Sequence, residues 1–205
     1  VTTRAPSIAL LCSSRCPGTV IVRSLDVAIA LKDAPVTIVS GFQSPMEKEL
    51  LNVMLKGSVR LVVCPARSAV GMRIPAEYKK AMTEGRLTIR SFIDELATAD
   101  SQPSIEHPMS RSVGTTARTR NPRTLPKRPT TDLAEQRNRF ACTISDAVLI
   151  LHASPGGKLE RLAAELISSG KPVWTLQDSA NDDLVRLGAN RLNPNHALDI
   201  ITQIR

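Results

Sequence analysis

The chain has 205 residues, a formal net charge of +8 at pH 7 and only 2% aromatic residues. That length favours one domain with an aliphatic core, and the scarcity of rings excludes a barrel-type binder that stacks bases on aromatic platforms. Four cysteines with no Cys-x-x-Cys, and three widely separated histidines (His107, His152, His196), exclude a zinc site of ordinary spacing.

The elements follow in chain order. Ile8–Cys12 is an apolar, strand-like run, and Thr19–Leu31 has the spacing of a helix. Val36–Val39 is β-branched and predicts a second strand. Ser44 is placed as a helix N-cap, with Pro45 at the first helical position and Glu47 completing a capping box. The helix continues over Met46–Lys56 and stops at Gly57. Val59–Cys64 is a third strand, Pro75–Glu84 a helix ended by Gly85, and Leu87–Ile89 a short strand. Residues 97–130 are rich in Ser, Thr, Pro and Arg and lack periodicity, which predicts a disordered basic insertion in a single domain spanning 1–205. Order resumes with a helix over Asp132–Cys142, a strand over Ala147–Leu151, an amphipathic helix over Lys158–Ser168 closed by Gly170, and a strand over Pro172–Thr175. Asn181–Leu187 and His196–Ile204 are expected to be helical. Apolar, non-alternating strands separated by helices predict an α/β fold, a Rossmann-like doubly wound, mostly parallel sheet with helices on both faces.

Ligands of such sheets bind beyond the carboxyl ends of the strands, so the loops there are the candidate sites. After the first strand comes Ser13-Ser14-Arg15-Cys16-Pro17-Gly18, where Arg15 either pairs with a phosphate or is a surface arginine of an ordinary turn. After the second come Ser40 and Gly41, ahead of a helix N-terminus whose first turn already carries Glu47 and Glu49. Arg67 follows the third strand. Arg137-Asn138-Arg139 precedes the Ala147–Leu151 strand, which runs on to Ser154-Pro155-Gly156-Gly157-Lys158. Adjacent helical residues splay by about 100°, so the three residues of Arg-Asn-Arg cannot all face one ligand. The glycines permit close backbone approach and Lys158 adds a charge, but neither a Walker loop nor a dinucleotide fingerprint is present. His152, at a strand end, is either a ligand contact or a hydrogen-bonded structural residue. No nucleophile elbow occurs.

Charge is concentrated between His107 and Arg139, where eight lysines and arginines face only Asp132 and Glu135. Such a segment suits a polyanion or is a solvated linker. No apolar run is long enough to span a membrane, and the N-terminus lacks the pattern of a signal peptide. A cytoplasmic protein with no membrane partner is expected.

Taken together, the loops resemble the DNA-processing protein A (DprA) family, a Rossmann-like branch of the superfamily that also holds the LOG nucleotide hydrolases. The matching pieces are Ser14-Arg15, Ser40-Gly41, Val62-Val63-Cys64-Pro65-Ala66-Arg67, Gly85-Arg86-Leu87, Arg137-Asn138-Arg139, Ile144-Ser145-Asp146-Ala147-Val148 and Gly170-Lys171-Pro172-Val173. Gly41-Phe42-Gln43-Ser44-Pro45-Met46-Glu47 is similar to a short, single-domain subgroup. The resemblance implies a non-catalytic protein that binds single-stranded DNA or a nucleotide, self-associates as a homodimer and works with a recombination protein. By motif it gives the DNA-contacting role to Arg15, with Arg137 and Arg139 near the same edge. Loop chemistry and the resemblance together put Arg15, Ser40, Gly41, Arg137, Arg139, Gly156 and Gly157 at the phosphates, with Asn138 beside them and Arg67 and Lys158 flanking. No cofactor and no metal are implied.

The chain departs from the family where Ser-Gly-x-Ala-x-Gly-Ile-Asp is usual and Ser40–Glu47 stands instead. Pro155-Gly156-Gly157 also resembles the LOG hydrolases, whose motif is Pro-Gly-Gly-x-Gly-Thr-x-x-Glu. Here Leu159, Glu160 and Ala163 stand at the third glycine, the threonine and the catalytic glutamate. Without that carboxylate an oxocarbenium-like transition state loses its stabilising charge. A nucleotide-binding sensor or a LOG-like phosphoribohydrolase is the alternative function.

Overall fold

The computed structural model describes residues 4–99 and 130–204. Seven strands form one parallel sheet: β1 (Ser7–Cys12), β2 (Thr37–Ser40), β3 (Arg60–Val63), β4 (Leu87–Ile89), β5 (Ala147–His152), β6 (Val173–Leu176) and β7 (Asn190–Leu192). Their order is β4-β3-β2-β1-β5-β6-β7. The chain winds outward from β1 to β4, then returns to lay β5 against the other side of β1, so the winding reverses between β1 and β5. The fold is the α/β, Rossmann-like one that the alternating pattern predicts.

Both faces of the sheet are covered, which is why the central strands carry unbroken apolar runs, Ile8–Cys12 in β1 and Ala147–Leu151 in β5. Ile8, Leu10 and Cys12 of β1 belong to one core cluster, with α1 (Gly18–Leu31), α2 (Pro45–Met54), α3 (Ala76–Thr83) and α8 (Asp199–Gln203) packed on it. Ala9 and Leu11 belong to the other, under α5 (Thr131–Thr143), α6 (Lys158–Ser168) and α7 (Asp182–Arg186). Leu149, Ile150 and Leu151 of β5 are wholly buried. Each such side chain contributes about 1.5–3 kcal/mol.

Helix α2 starts as the capping box predicts. The Ser44 hydroxyl accepts from the Glu47 N–H at 3.2 Å, and the Glu47 carboxylate accepts from the Ser44 N–H at 3.3 Å. Helix α5 is capped by Thr130, whose hydroxyl accepts from the Leu133 N–H.

Several boundaries differ from the sequence reading. Residues 97–99 belong to α4 (Phe92–Ala99), whose Phe92 meets Phe140 of α5 with ring centroids 6.4 Å apart. The rest of the proposed insertion, apart from Thr130, lies outside the described residues. The tail is more broken than two helices. Turns of 3-10 helix at Ser179–Asn181 and Pro194–His196 precede α7 and α8, and β7 lies between. β7 escapes an apolar search because Asn190 and Arg191 are exposed on an edge strand, where polar residues protect against mispairing.

Candidate nucleic-acid interface

The reversal of winding brings the loops after β1 and β5 side by side at the carboxyl edge. The main chain locks them together. The Ser13 N–H donates to the His152 carbonyl at 2.9 Å, and the Ser154 N–H donates to the Ser13 hydroxyl at 3.0 Å. Two candidate loops, 141 residues apart at Ser13 and Ser154, thus form one crevice. Ser14 and Arg15 are exposed on its β1 side. Arg15 makes no hydrogen bond or ion pair with any described residue.

On the β5 side, Gly156 has φ +68, a left-handed conformation that glycine adopts without a Cβ penalty. Its N–H donates to the Glu160 carboxylate at 2.6 Å. The Gly157 N–H is satisfied by the Ser154 carbonyl at 2.9 Å. Gly157 offers α6 no side-chain cap, so the first N–H groups of that helix remain open beside the crevice. Glu160 is the charge that a phosphate at this turn has to displace.

The Ser40-Gly41 loop is turned inward. Ser40 is fully buried, and its hydroxyl accepts from the Phe42 N–H at 3.1 Å. Gly41 lies under Arg137, with so little room that a Cβ there would stand 1.4 Å from Nη1. The glycine makes space for an arginine, which leaves none there for a ligand.

Arg137 itself is only 4% exposed. Its Nε donates weakly to the Ala134 carbonyl at 3.4 Å, and its Nη1 is buried with no partner among the described residues. The nearby counter-charge is Glu47, which is equally buried and accepts from the N–H groups of Cys12 (2.9 Å) and Gln43 (2.8 Å) as well as Ser44. These main-chain donors converge on the protein's own carboxylate, much as they would on a bound anion. Burial pushes the Glu47 carboxyl up from the usual range, with Arg137 and the three N–H donors pulling it back. Burial likewise lowers the Arg137 guanidinium, with Glu47 opposing.

The remaining cations divide by their partners. Arg139 is exposed and forms a two-pronged pair with Glu165 of α6, one arm at 3.0 Å. Lys158 pairs with Glu135 of α5 at 2.8 Å. Both charges therefore stitch α5 to α6. Asn138, between Arg137 and Arg139 in sequence, is half-buried. Arg67, after β3, is half-buried and makes no ion pair with a described residue, and its carbonyl accepts from the Ser91 hydroxyl at 2.8 Å. The structure thus joins Arg15 with Gly156 and Gly157 and sets Ser40, Gly41 and Arg137 beneath the surface.

Sequence reading missed the part played by Glu160, whose spacing of four residues from Gly156 was the available signal. It also missed Asn181, which holds the buried His152 ring at 2.9 Å and carries no motif at all. Burial pushes the thiols of Cys64 and Cys142 up to about 12, so neither is a ready nucleophile. Among the described residues no cluster of three or more His, Cys, Asp or Glu side chains is placed to hold a metal. No helix among them is long and apolar enough to cross a membrane. A cavity of about 960 Å³ lies at the opposite, amino-terminal edge, lined by Arg4, Asp33, Arg60 and Asp146 among others. Three of its charges have partners: Arg4 pairs with Asp146 at 2.7 Å, and Asp33 accepts from Ser58, while Arg60 is exposed and makes no ion pair with a described residue.

No protein-family model matches the chain, and no curated protein sequence does. Similar solved structures exist. DNA processing protein A from Streptococcus pneumoniae superposes with a TM-score of 0.64 at 13% identity, covering 96% of this chain and 61% of that one. The Helicobacter pylori DNA processing protein A, described for its single-stranded DNA binding mode, gives 0.63 at 15% identity, covering 98% and 81%. The molybdenum cofactor binding protein of Rippkaea orientalis gives 0.60 at 11% identity and covers 99% of both chains. The chain spans about three-fifths of the Streptococcus protein. At these identities the likeness is one of fold: this is the Rossmann-like architecture that DNA processing protein A and molybdenum cofactor carriers share.

Proposed function

We propose that the protein is a short, DprA-like nucleic-acid-binding protein that takes single-stranded DNA across the β1–β5 crevice and catalyses no reaction. The observation that carries this reading is Arg15, an exposed guanidinium without a partner among the described residues, on a loop that hydrogen bonds tie to the glycine turn after β5. A cation of this kind gains a phosphate without first losing an ion pair. The open N–H groups at the start of α6 favour the same anion. Arg67 and Asn138 flank the track. Arg139 and Lys158 reach a phosphate only by exchanging Glu165 and Glu135. Ser40, Gly41 and Arg137 form the floor and act by shaping the loops above. The net charge of +8 supports a polyanionic partner, and the Helicobacter protein of the same fold binds single-stranded DNA. Self-association, a recombination partner and a cytoplasmic setting extend the same reading.

Titration of the whole chain with a labelled single-stranded oligonucleotide at two salt concentrations tests it. Binding that weakens steeply with salt is expected. No binding at low salt, or binding indifferent to salt, removes the proposal.

A second reading is favoured by one observation, the full mutual coverage with the Rippkaea molybdenum cofactor binding protein. Here the crevice holds a small phosphorylated ligand. Competition decides between the two: a nucleoside monophosphate or molybdenum cofactor that displaces the oligonucleotide at micromolar concentration favours the small ligand.

A further inference from the structure

The crevice holds one more group that no phosphate contact uses. His152 ends β5 at the point where the winding reverses, and its ring is 6% exposed. Its Nδ1 lies 2.9 Å from Oδ1 of Asn181. The orientation of that amide is fixed from its other side, because Nδ2 of Asn181 faces the carbonyl oxygens of Leu151 at 2.8 Å and Leu176 at 3.2 Å. Carbonyl oxygens only accept, so the amide nitrogen must face them and the amide oxygen must face the histidine. An amide oxygen also only accepts, so Nδ1 of His152 carries the hydrogen. In the neutral imidazole, Nε2 is then a bare lone pair. No described residue bonds to it, and it is not among the sealed, unpartnered atoms of the interior, such as Arg137 Nη1 and Trp174 Nε1. It is an open acceptor on a ring held in place by a buried amide.

We infer that His152 is a base-reading residue of the crevice, whose Nε2 accepts a hydrogen bond from the exocyclic amino group of a nucleobase. The inference rests on the proposed single-stranded DNA function and specifies it. A lone pair repels phosphate oxygens, so the strand at this point turns its base inward and keeps its phosphates near Arg15. DNA has no 2′-hydroxyl, which leaves base N–H groups as the donors in reach. Cytosine presents a free amino group. Thymine presents only an imide N–H set between two carbonyl oxygens, which a single acceptor meets poorly. His152 therefore favours cytosine over thymine.

The test measures affinity of the whole chain for oligo-dC and oligo-dT at one salt concentration, in the native protein and in His152→Asn. Asparagine places an N–H where Nδ1–H stands and so keeps the Asn181 bond, but it has nothing at the position of Nε2. The native protein is expected to prefer oligo-dC by about threefold to tenfold, the range of one neutral hydrogen bond. His152→Asn is expected to bring that ratio to near one by weakening dC binding, leaving dT binding unchanged. Should the variant not fold, nitrogen NMR of the native histidines decides: the His152 Nε2 resonance shifts with oligo-dC and stays with oligo-dT. Salt-sensitive binding with no dC preference, a preference that survives in His152→Asn, or a resonance that responds equally to both overturns the inference while leaving the DNA-binding function standing. Failure to bind either oligonucleotide overturns both.

Discussion

Gly41 and Arg137 are in direct contact: a Cβ on Gly41 would lie 1.4 Å from Nη1 and 2.2 Å from Cζ of the arginine. The loop after β2 lies flat on a guanidinium supplied by α5, on the far side of the sequence. Replacing Gly41 with alanine forces the guanidinium to move, and its buried surroundings give it little room. Gly41→Ala is expected to lower stability by about 1–3 kcal/mol, the usual cost of overpacking. In an Arg137→Ala background the same change is expected to cost close to nothing, since the clashing atoms are gone. Urea unfolding of the four proteins measures the coupling. Additive costs would show that the contact is not the source of the strain.

Beside that contact, Glu47 gives stability a pH dependence with a definite sign. Its folded-state pKa is raised, chiefly by burial. The folded protein therefore holds the Glu47 proton more tightly than the unfolded chain does. The stabilising contribution is complete below the ordinary glutamate range and is lost as pH rises through the raised folded value. Asp146 works in the opposite sense. Burial pushes it up, but hydrogen bonds from Ser7 and the Arg4 guanidinium outweigh burial and lower it. Its contribution is present above the ordinary aspartate range and is lost as pH falls through the lowered value. The two windows lie on either side of the ordinary carboxylate range. Urea midpoints of the native protein and Glu47→Gln, followed upward from pH 4, are expected to differ in slope, with the native protein losing stability that the variant does not. Parallel curves would rule out Glu47 as the source.

The cations predict a separation between binding and stability. Arg15→Ala is expected to weaken single-stranded DNA binding and to reduce the slope of log affinity against log salt by about 0.7–1, the value of one lost phosphate contact. Arg139→Ala breaks an exposed pair with Glu165. It is expected to cost about 0–1 kcal/mol of stability and to leave the salt slope nearly unchanged. If Arg139 moves the slope as much as Arg15 does, the ion pair opens in the complex and the track runs over α5.

These distinctions show where sequence reading reaches and where it stops. The apolar runs of β1 and β5 and the Ser44–Glu47 box are local patterns, and the structure contains them where they were read. The joining of the Ser13 and Ser154 loops also follows from topology, because a doubly wound sheet must reverse somewhere. Arg137 is different. On a helix with polar neighbours it reads as one more exposed cation, and only the crossing of α5 over the Gly41 loop buries it. The partners of Arg139 and Lys158 sit 26 and 23 residues away on another helix, a distance no local spacing rule covers. Charges could be counted in sequence, but whether each is free could not.

Glu160 makes the glycine turn a guarded site. Its carboxylate holds the Gly156 N–H at 2.6 Å and places a negative charge where a phosphate would come. Glu160→Gln keeps an acceptor for that N–H while removing the charge. It is expected to raise single-stranded DNA affinity by about threefold to tenfold, in line with a gain of 0.5–1.5 kcal/mol. Unchanged affinity in the oligonucleotide titration would place the strand away from this turn.

Ala163 offers a test of binding against hydrolysis. It stands where the LOG hydrolases carry a glutamate, yet it is wholly buried and packed with Leu11, Ile150, Leu159, Leu162 and Val173 in the core beneath α6. A carboxylate there has no described cation to pair with inside an apolar cluster. Ala163→Glu is expected to cost about 3 kcal/mol or more, through overpacking and burial of an unpaired acid. It is also expected to release no free base from nucleoside monophosphates, because the new carboxylate faces the core. The thermal midpoint and a base-release assay read the two expectations separately. A stable variant that gains hydrolysis would show that α6 can turn position 163 into the crevice, and would move the protein to the enzyme reading.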